Sequence, residues 1–341
     1  MIYFIATYSI FLFIGILYSF VLKKGKKQPK VELSVIIPFR NEEKSIQGLI
    51  NSIKKQKDQP EIIFVNDHSN DESVSIVEKF VSKEECFHLL HLKESSGKKA
   101  AIQLALSKAR NKRILQIDAD VRFDENLFDV ASTCTGDFST AWVRFEEKKS
   151  FINHFQVWEN LATMLMTKLS IDINIPLMSN GANMVFSNKG NHNVNEKYAS
   201  GDDVFLMYDI KSKGGNVEFD IERTVITEAA DNFKSFFNQR RRWIGKSQGV
   251  KSLSFRLLSI IVLIAQLSPI SLLIVYSDKL FYVLLLKTVV ELTGMILVNR
   301  YLAYKSIFIS YLWVVLIYPF YLIMLLFSSL FYKTNWKGRP I

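Results

Sequence analysis

Two aspartates, Asp118 and Asp120, stand two residues apart directly after the apolar run 114–117. Residues two apart on an extended chain face the same side, so both carboxylates can point into one space. Paired carboxylates are hard oxygen ligands that suit Mg²⁺ or Mn²⁺, and either ion can also bridge phosphate oxygens. The pair is therefore a candidate metal site, and two solvated turn aspartates are the alternative interpretation.

A second acidic pair, Asp202 and Asp203, follows Ser200 and Gly201 and precedes an apolar helix pattern. One of these carboxylates could act as a general base that deprotonates an acceptor hydroxyl. An acidic helix N-terminus, which the helix dipole favours, is the alternative.

Short polar side chains follow another apolar run at residues 66–71, with the sequence Asn-Asp-His-Ser-Asn-Asp. They could bind a nucleobase and ribose, or form an Asx turn with Asp71 as a helix cap, and the two roles are compatible. Gly97 and Lys98 offer a flexible backbone and a cation for a phosphate, or simply an exposed turn. The small-residue loop 179–183 is either a place of close ligand approach or a plain turn.

The segment Gln239-Arg240-Arg241-Arg242-Trp243, termed the pentad below, lies ten residues before the chain turns apolar. Arginine forks bind diphosphate oxygens bidentately, and a tryptophan offers a flat face to a sugar or base. A juxtamembrane basic cluster that only sets topology is the alternative. Arg240 and Arg241 are expected to face water or lipid headgroups.

The elements that must position these residues alternate between strand and helix. Strand patterns are predicted at 31–37, which Pro38 closes, and at 61–65, 87–92 and 113–117, with helical patterns at 42–55, 71–82 and up to residue 110. Four alternations predict an α/β domain with a mostly parallel sheet. Ligands of such sheets bind beyond the carboxyl ends of the strands. Polar clusters occur at those ends, at residues 40–42, 66–71 and 118–120.

Apolar and charged residues are segregated along the 341-residue chain, which is 49% hydrophobic and 22% charged. Residues 1–22 predict an N-terminal transmembrane anchor, and residues 253–332 predict about three further membrane helices, at 255–276, 280–298 and 306–332. Within the second of these, Lys287 and Glu291 lie one helical turn apart and are expected to form a satisfied pair or an interfacial face. A basic tail at 333–341 ends the sequence.

The basic segment 23–27 places the intervening domain on the cytoplasmic side. A net charge of +10 fits anionic lipid and an anionic nucleotide substrate, and nucleic acid is not an expected partner because no basic-aromatic binding module occurs. With two cysteines, Cys86 and Cys134, a disulfide framework is not expected.

Together these stretches resemble the family 2 inverting glycosyltransferases, nucleotide-sugar enzymes with a GT-A fold. The resemblance is to the membrane-bound type seen in cellulose, hyaluronan and ceramide-glucosyl transferases, and runs from about residue 33 to residue 243. It implies a cytoplasmic, Rossmann-like GT-A domain at 31–250, flanked by membrane helices in a multi-pass protein of the cell (inner) membrane.

The resemblance also implies roles for individual residues. The nucleotide sugar would be bound by residues of four segments: Pro38, Asn41, Glu42, Asn66, Asp67, Ser69, Lys98 and Asp118. The divalent metal, Mg²⁺ or Mn²⁺, would be held by Asp120 and Asp118, and Asp203 would be the catalytic base. The diphosphate and acceptor would be contacted by Asp202, Gln239, Arg242 and Trp243.

Two positions depart from the family pattern. Asn66 stands where the family has an aspartate, so it can hydrogen-bond a base but carries no charge. Asp202 replaces a glutamate and shortens that side chain. Neither change removes the metal carboxylates or the base.

The resemblance predicts transfer of a sugar from a UDP-sugar to a hydroxyl of a lipid or lipid-linked glycan, with inversion to a β-linkage. A processive β-glycan synthase is the second hypothesis, because the pentad pattern is often linked to processive synthesis. A non-catalytic membrane subunit that binds UDP-sugar is the third, and the intact acidic residues argue against it.

Overall fold

The computed structural model describes residues 1–23, 28–188, 202–247, 249–250, 252–274, 277–305, 310–331, 335–336 and 339–340. The chain divides into two compact units. Residues 25–146 and 178–228 form one, termed the sheet unit. Residues 1–24, 147–177 and 229–341 form the other, termed the helical unit.

Eleven α-helices and ten strands occur among the described residues. The helices are α1 (Ile2–Leu17, extended by a π-helical turn Tyr18–Leu22), α2 (Ile46–Lys54), α3 (Ser73–Val81), α4 (Lys98–Lys108), α5 (Leu127–Ser132), α6 (Phe151–Asp172), α7 (Asp202–Ser212), α8 (Phe233–Ser247), α9 (Leu253–Leu267, continued by a 3₁₀ turn Ser268–Leu273), α10 (Asp278–Leu302) and α11 (Tyr311–Phe331). The strands are β1 (Leu33–Phe39), β2 (Glu61–Asn66), β3 (Phe87–His91), β4 (Arg113–Ile117), β5 (Arg122–Phe123), β6 (Phe138–Phe145), β7 (Asn183–Ser187), β8 (Val217–Thr227), β9 (Asn335–Trp336) and β10 (Arg339–Pro340).

The sheet unit is built on eight strands in the order β3-β2-β1-β4-β7-β6-β8-β5. The first four strands are parallel, as the alternation of strand and helix predicts. Their near-continuous apolar runs are buried on both faces, which is typical of parallel strands covered by helices.

The prediction of a mostly parallel sheet holds only in part for the other half. Strand β7 is antiparallel to both β4 and β6, and β5 is antiparallel to β8, whereas β6 and β8 are parallel, so the sheet is mixed. Beyond residue 120 strands and helices still alternate from β5 to α8. Alternation along the chain therefore did not distinguish parallel from antiparallel pairing in this half.

The strand prediction that ends before Pro38 is also wrong, because β1 continues through Pro38 to Phe39. Pairing of β1 with β4 stops at Ile36, whereas pairing with β2 continues to Phe39. Pro38 thus lies where β1 has a single neighbouring strand, and its missing N–H removes at most one ladder hydrogen bond.

A buried arginine fills an irregularity between β6 and β8. The register shifts between Ala141 and Trp142, and the Arg223 side chain is fully buried there. Its guanidinium donates to Asp220 Oδ2 at 2.8 Å, to Asn183 Oδ1 at 3.1 Å and to Ser139 Oγ at 2.9 Å. Three polar groups from three strands are therefore satisfied around one charge.

Replacing Arg223 with Met should lower the free energy of unfolding by about 3–5 kcal/mol, because Asp220 would keep a largely buried charge without its partner. The matched control is Arg122→Met, whose ion pair with Glu146 is exposed on both sides and is worth at most about 1 kcal/mol. Denaturant or thermal unfolding of the detergent-purified chain measures both. Equal losses in the two variants would contradict the role assigned to the buried network.

Apolar helices dominate the helical unit. Within the described residues, three helical stretches are long and apolar enough to cross a membrane: Ile2–Leu22, Leu253–Leu272 and Asp278–Leu302. A shorter apolar stretch lies at Trp313–Ser328. The predicted domain boundaries stay a prediction, and the unit also includes 147–177 and 229–250 from the segment expected to be cytoplasmic. Much of the predicted tail 333–341, and residues 24–27 of the basic segment, lie outside the described residues.

The apolar helices of this unit also carry paired polar groups. Lys287 Nζ donates to Glu291 Oε2 at 2.7 Å, which confirms the predicted satisfied pair. Glu291 Oε1 accepts from Gln266 of α9 at 2.8 Å and from Tyr8 of α1 at 3.3 Å. The pair therefore links three helices rather than forming an exposed interfacial stripe.

Candidate active site

The loop after β1 and the loop after β2 are hydrogen-bonded to each other. The Asn41 N–H donates to Ser69 Oγ at 3.1 Å, and the Asn70 N–H donates to Asn41 Oδ1 at 3.0 Å. The Glu42 N–H donates to Ser73 Oγ at 2.7 Å. Asn41 has φ of 52°, a left-handed conformation that asparagine tolerates better than most residues. The structure thus brings Asn41, Glu42 and Ser69 close together, and their role in one binding site stays a prediction.

Asn66, the first departure from the family pattern, is buried and has two partners. Its Oδ1 accepts from the Ser69 N–H at 2.9 Å, which is the Asx turn considered from the sequence. Its Nδ2 lies 3.2 Å from His91 Nδ1 on β3. A role for Asn66 in binding a nucleobase stays a prediction.

Asp67 lies deeper than its neighbours and ties the β2 loop to the start of α4. Its carboxylate accepts from the Gly97 N–H at 3.0 Å and lies 3.8 Å from Arg40 Nη1. Gly97 has φ of 100°, a conformation that L side chains rarely adopt. The loop enters α4 through this glycine, and Lys98 is the first residue of the helix.

Lys98 and Asp118 form an ion pair at the carboxyl end of β4, with Nζ 2.6 Å from Oδ1. Both side chains are partly exposed. Gly97 and Lys98 are therefore not simply an exposed turn, because Lys98 is paired with Asp118. Lys98 instead supplies positive charge at the predicted metal and phosphate position.

Asp120 forms a carboxylate cluster with Asp118 and Glu42, and its side chain is exposed. Crowding by protein atoms, followed by the charges of Asp118 and Glu42, raises the pKa of Asp120 to about 6. Solvent at the exposed surface screens part of this repulsion. Its Oδ2 also accepts from Thr227 Oγ1 at 3.3 Å. Three carboxylates thus gather around a space that a cation would stabilise.

The oxygen donors of this carboxylate cluster fit a divalent ion that also binds phosphate. Among the described residues, no group of three or more His, Cys, Asp or Glu side chains has the geometry of a complete metal site. Mg²⁺ is characteristically bound through one or two carboxylates, with the remaining positions filled by water and substrate phosphates. Asp118 and Asp120 would supply that share.

The structure describes the predicted base only in part. Asp203 is the second residue of α7 and lies in the first turn of the helix, as the alternative interpretation required. Its side chain is buried. This placement is compatible with either role. Asp202 begins the helix, whereas Ser200 and Gly201 lie outside the described residues.

The loop 179–183 is internally bonded, as a plain turn would be. The Ala182 N–H donates to Asn180 Oδ1 at 3.0 Å, and the Asn180 N–H donates to Thr140 Oγ1 at 3.2 Å. Asn183 donates to the Trp142 carbonyl oxygen and accepts from Arg223. These bonds explain the small polar residues of the loop without a ligand.

The pentad belongs to α8 in the helical unit, where one of its predictions is wrong. Arg240 was expected to face water or lipid headgroups but is buried, with Nε donating to Glu159 Oε2 at 2.6 Å. Gln239, Arg242 and Trp243 are half-buried. Burial lowers the pKa of Arg242, although a guanidinium remains charged at neutral pH.

Several residues of these sites carry no signal in the sequence. Thr227 and His91 contact predicted site residues from strands β8 and β3, and Glu159 contacts the pentad from α6. None belongs to a local motif, and each becomes a neighbour only through tertiary packing. Spacing along the chain could not identify them.

The fold is that of the GT-A glycosyltransferases, with a mixed sheet. The chain is similar to mannosyltransferase PcManGT from Pyrobaculum calidifontis, whose structure contains GDP-Man and Mn²⁺, with a TM-score of 0.56 and 15% identity. The match covers 97% of this chain and 99% of that chain. At this identity the likeness concerns the fold alone.

Residues 34–184 match the family described as Glycosyl transferase family 2, so the chain carries a domain of that family. It is 33% identical over 103 residues to a dolichyl-phosphate beta-glucosyltransferase of Drosophila melanogaster, covering 27% of this chain and 32% of that protein. It is 29% identical over 108 residues to a dodecaprenyl-phosphate galacturonate synthase of Rhizobium johnstonii, covering 30% and 32%. The chain thus spans about a third of the length of these relatives.

Replacing Asp120 with Asn should stabilise the metal-free protein at neutral pH. The pKa is about 6 when folded against 3.8 in the reference state, so the folded protein binds more protons between these values. Its free energy of unfolding therefore falls as pH rises from about 4 to about 6 and stays lower above that. In chelator at about pH 7.5, D120N should unfold at a higher temperature than the unsubstituted protein, and the two should converge below about pH 4.

Thermal unfolding across this pH range measures the effect, and Asp124→Asn, an exposed aspartate nearby, controls for the charge change. The same D120N variant should bind Mn²⁺ together with UDP at least about tenfold more weakly, since loss even of an outer-shell partner costs that much. A D120N variant less stable than D124N in chelator would contradict the crowding of carboxylates.

Proposed function

We propose that this protein is a membrane-associated glycosyltransferase that moves a sugar from a UDP-sugar to a hydroxyl of a lipid or lipid-linked glycan, with inversion to a β-linkage. The observation that carries the proposal is the carboxylate pair Asp118 and Asp120 within a Glycosyl transferase family 2 domain. They lie at the carboxyl end of β4, where α/β sheets bind ligands.

Different residues of the sheet unit would bind the nucleoside, the phosphates and the metal ion. The loops after β1 and β2 would hold the nucleoside, and Lys98 would neutralise phosphate charge beside Asp118. A divalent ion on Asp118 and Asp120 would neutralise the charge that develops on the departing diphosphate.

Asp203 is proposed as the general base. The acceptor oxygen attacks the anomeric carbon, the bond from that carbon to the diphosphate oxygen breaks, and UDP leaves with the bonding electrons. Asp203 takes the acceptor's hydroxyl proton in the same step. A single displacement of this kind inverts the configuration, so an α-linked donor gives a β-linked product.

Two observations bear on the identity of the donor base. The structural neighbour from Pyrobaculum calidifontis binds a guanosine nucleotide sugar, whereas the motif resemblance points to uridine. Asn66 is uncharged and forms hydrogen bonds with Ser69 and His91, so it cannot select a base through charge. Competition of unlabelled UDP, GDP and CDP for the labelled donor distinguishes the bases.

A lipid acceptor is supported from two sides. Among the described residues, three helices are long and apolar enough to span a membrane, and two relatives are named for dolichyl phosphate and dodecaprenyl phosphate. The basic segment 23–27 supports a cytoplasmic sheet unit at the cell (inner) membrane. A processive β-glycan synthase remains the second candidate because of the pentad, and a ladder of products on a gel would favour it.

The test of the base uses membranes or detergent-purified protein with a panel of labelled UDP-sugars, followed by lipid extraction. Asp203→Asn should lower turnover by about 10²–10⁴-fold, because the proton would have no acceptor, while UDP-sugar binding persists. Asp209→Asn is the matched control on the same helix, where the aspartate is paired with Lys213 at 2.7 Å. Excess chelator should abolish transfer by the unsubstituted protein.

Undiminished transfer by D203N would overturn the base assignment, and activity in excess chelator would overturn the metal role. The acceptor class has its own outcome. A phosphate acceptor is largely deprotonated at neutral pH, with a second pKa near 6, so it needs little help from a base. Formation of a sugar–phosphate–lipid product that survives D203N would therefore contradict the hydroxyl acceptor and favour a polyprenyl phosphate.

A further inference from the structure

Arg240, the second residue of the pentad, has the environment of a fixed internal group. It is 4% exposed, and Glu159 of α6, its ion-pair partner, is 7% exposed. The second oxygen of Glu159 accepts from the Tyr321 hydroxyl of α11 at 3.0 Å. One carboxylate on α6 therefore joins α8 to α11 through Arg240 and Tyr321.

The same guanidinium is enclosed by two aromatic rings of its own helix. Its central carbon lies 4.7 Å from the ring centroid of Phe236 and 4.1 Å from that of Trp243. Phe236 in turn stacks on Tyr321, with centroids 5.5 Å apart and planes inclined by 20°. A planar guanidinium can stack on rings while its edge donates hydrogen bonds, which a lysine ammonium cannot do.

Arg240 also contacts its neighbour in the pentad, because its Nη1 donates to Gln239 Oε1. An arginine has donors only, so the amide oxygen of Gln239 must face it. The amide N–H groups of Gln239 are thereby turned away from Arg240. One buried cation thus sets the orientation of the Gln239 amide and the plane of the Trp243 indole.

We propose that Arg240, held by Glu159, is a positioning residue that orients Gln239 and Trp243 for the acceptor. The inference rests on the proposed function and on the family resemblance, which implies acceptor contacts for those two side chains. A shift of about 1 Å in a positioned group can cost about 10²-fold in rate, so a residue that touches no ligand can still control turnover.

Arg240→Lys keeps the charge and removes the fork and the stack. We expect turnover to fall about ten- to hundredfold, while binding of UDP with Mn²⁺, which is assigned to the sheet unit, stays within about threefold. Arg241→Lys is the matched control, since it makes the same change at the next position of α8, where the side chain is half-buried. This control should retain turnover.

A double variant separates positioning from folding. Arg240→Gln alone and Glu159→Gln alone each leave one buried charge without its partner, so both should be less stable. The Arg240→Gln/Glu159→Gln pair removes both charges and should regain thermal stability. Turnover should stay low in the double variant, because the stack on Trp243 is not restored. Recovery of both stability and turnover would overturn the inference and leave Arg240 a purely structural role.

The fluorescence of Trp243 gives a measurement that does not depend on activity. The chain has five tryptophans, and subtracting the emission of Trp243→Phe from that of the unsubstituted protein isolates Trp243. In R240K its emission should shift and become more accessible to acrylamide, whereas in R241K it should not. An unchanged Trp243 signal in R240K would overturn the inference. An unsubstituted protein inactive on every nucleotide sugar would instead overturn the proposed function, and the fluorescence result would still decide the role of Arg240.

Discussion

One electrostatic constraint applies across this structure. A charge that is removed from water needs an opposite charge beside it, and its remaining hydrogen-bonding groups need partners within the protein. Arg223 with Asp220, Lys168 with Asp172, and Arg240 with Glu159 are all buried ion pairs. Each also hydrogen-bonds groups from other elements. Because a misplaced partner would leave an uncompensated charge, each pair fixes the relative positions of the elements within its own unit.

The carboxylate cluster after β4 differs from these pairs, because it brings like charges together. Asp118, Asp120 and Glu42 are all acidic, and Lys98 offsets their charge only in part. Removing one of these carboxylates would relieve their repulsion in the metal-free chain. Retaining them is understandable if a cation and a nucleotide complete the charge balance. Structural pairs and the functional cluster are thus distinguished by the same electrostatic rule.

Sequence reasoning succeeded where the information is local. The alternation of apolar runs and helical patterns predicted β1 to β4, and the position of Asp118 and Asp120 after an apolar run predicted which end of the sheet would carry them. The mixed half of the sheet could not be predicted, because β7 pairs with strands that lie far from it in sequence. Glu159 and Arg240 are 81 residues apart, so their pairing has no local signature.

The pentad shows why residue type and spacing are insufficient to assign roles within a motif. Arg240, Arg241 and Arg242 are adjacent and chemically identical, yet helical geometry turns them about 100° apart from one to the next. Only Arg240 therefore faces Glu159 on α6, and the α6 helix is itself tied to α1 through Asp172, which accepts from Ser19 and Lys23. The buried side of α8 is thus connected through α6 to α1, which is long and apolar enough to cross a membrane. Gln239 and Trp243 both contact Arg240, so the same pairing holds them in place.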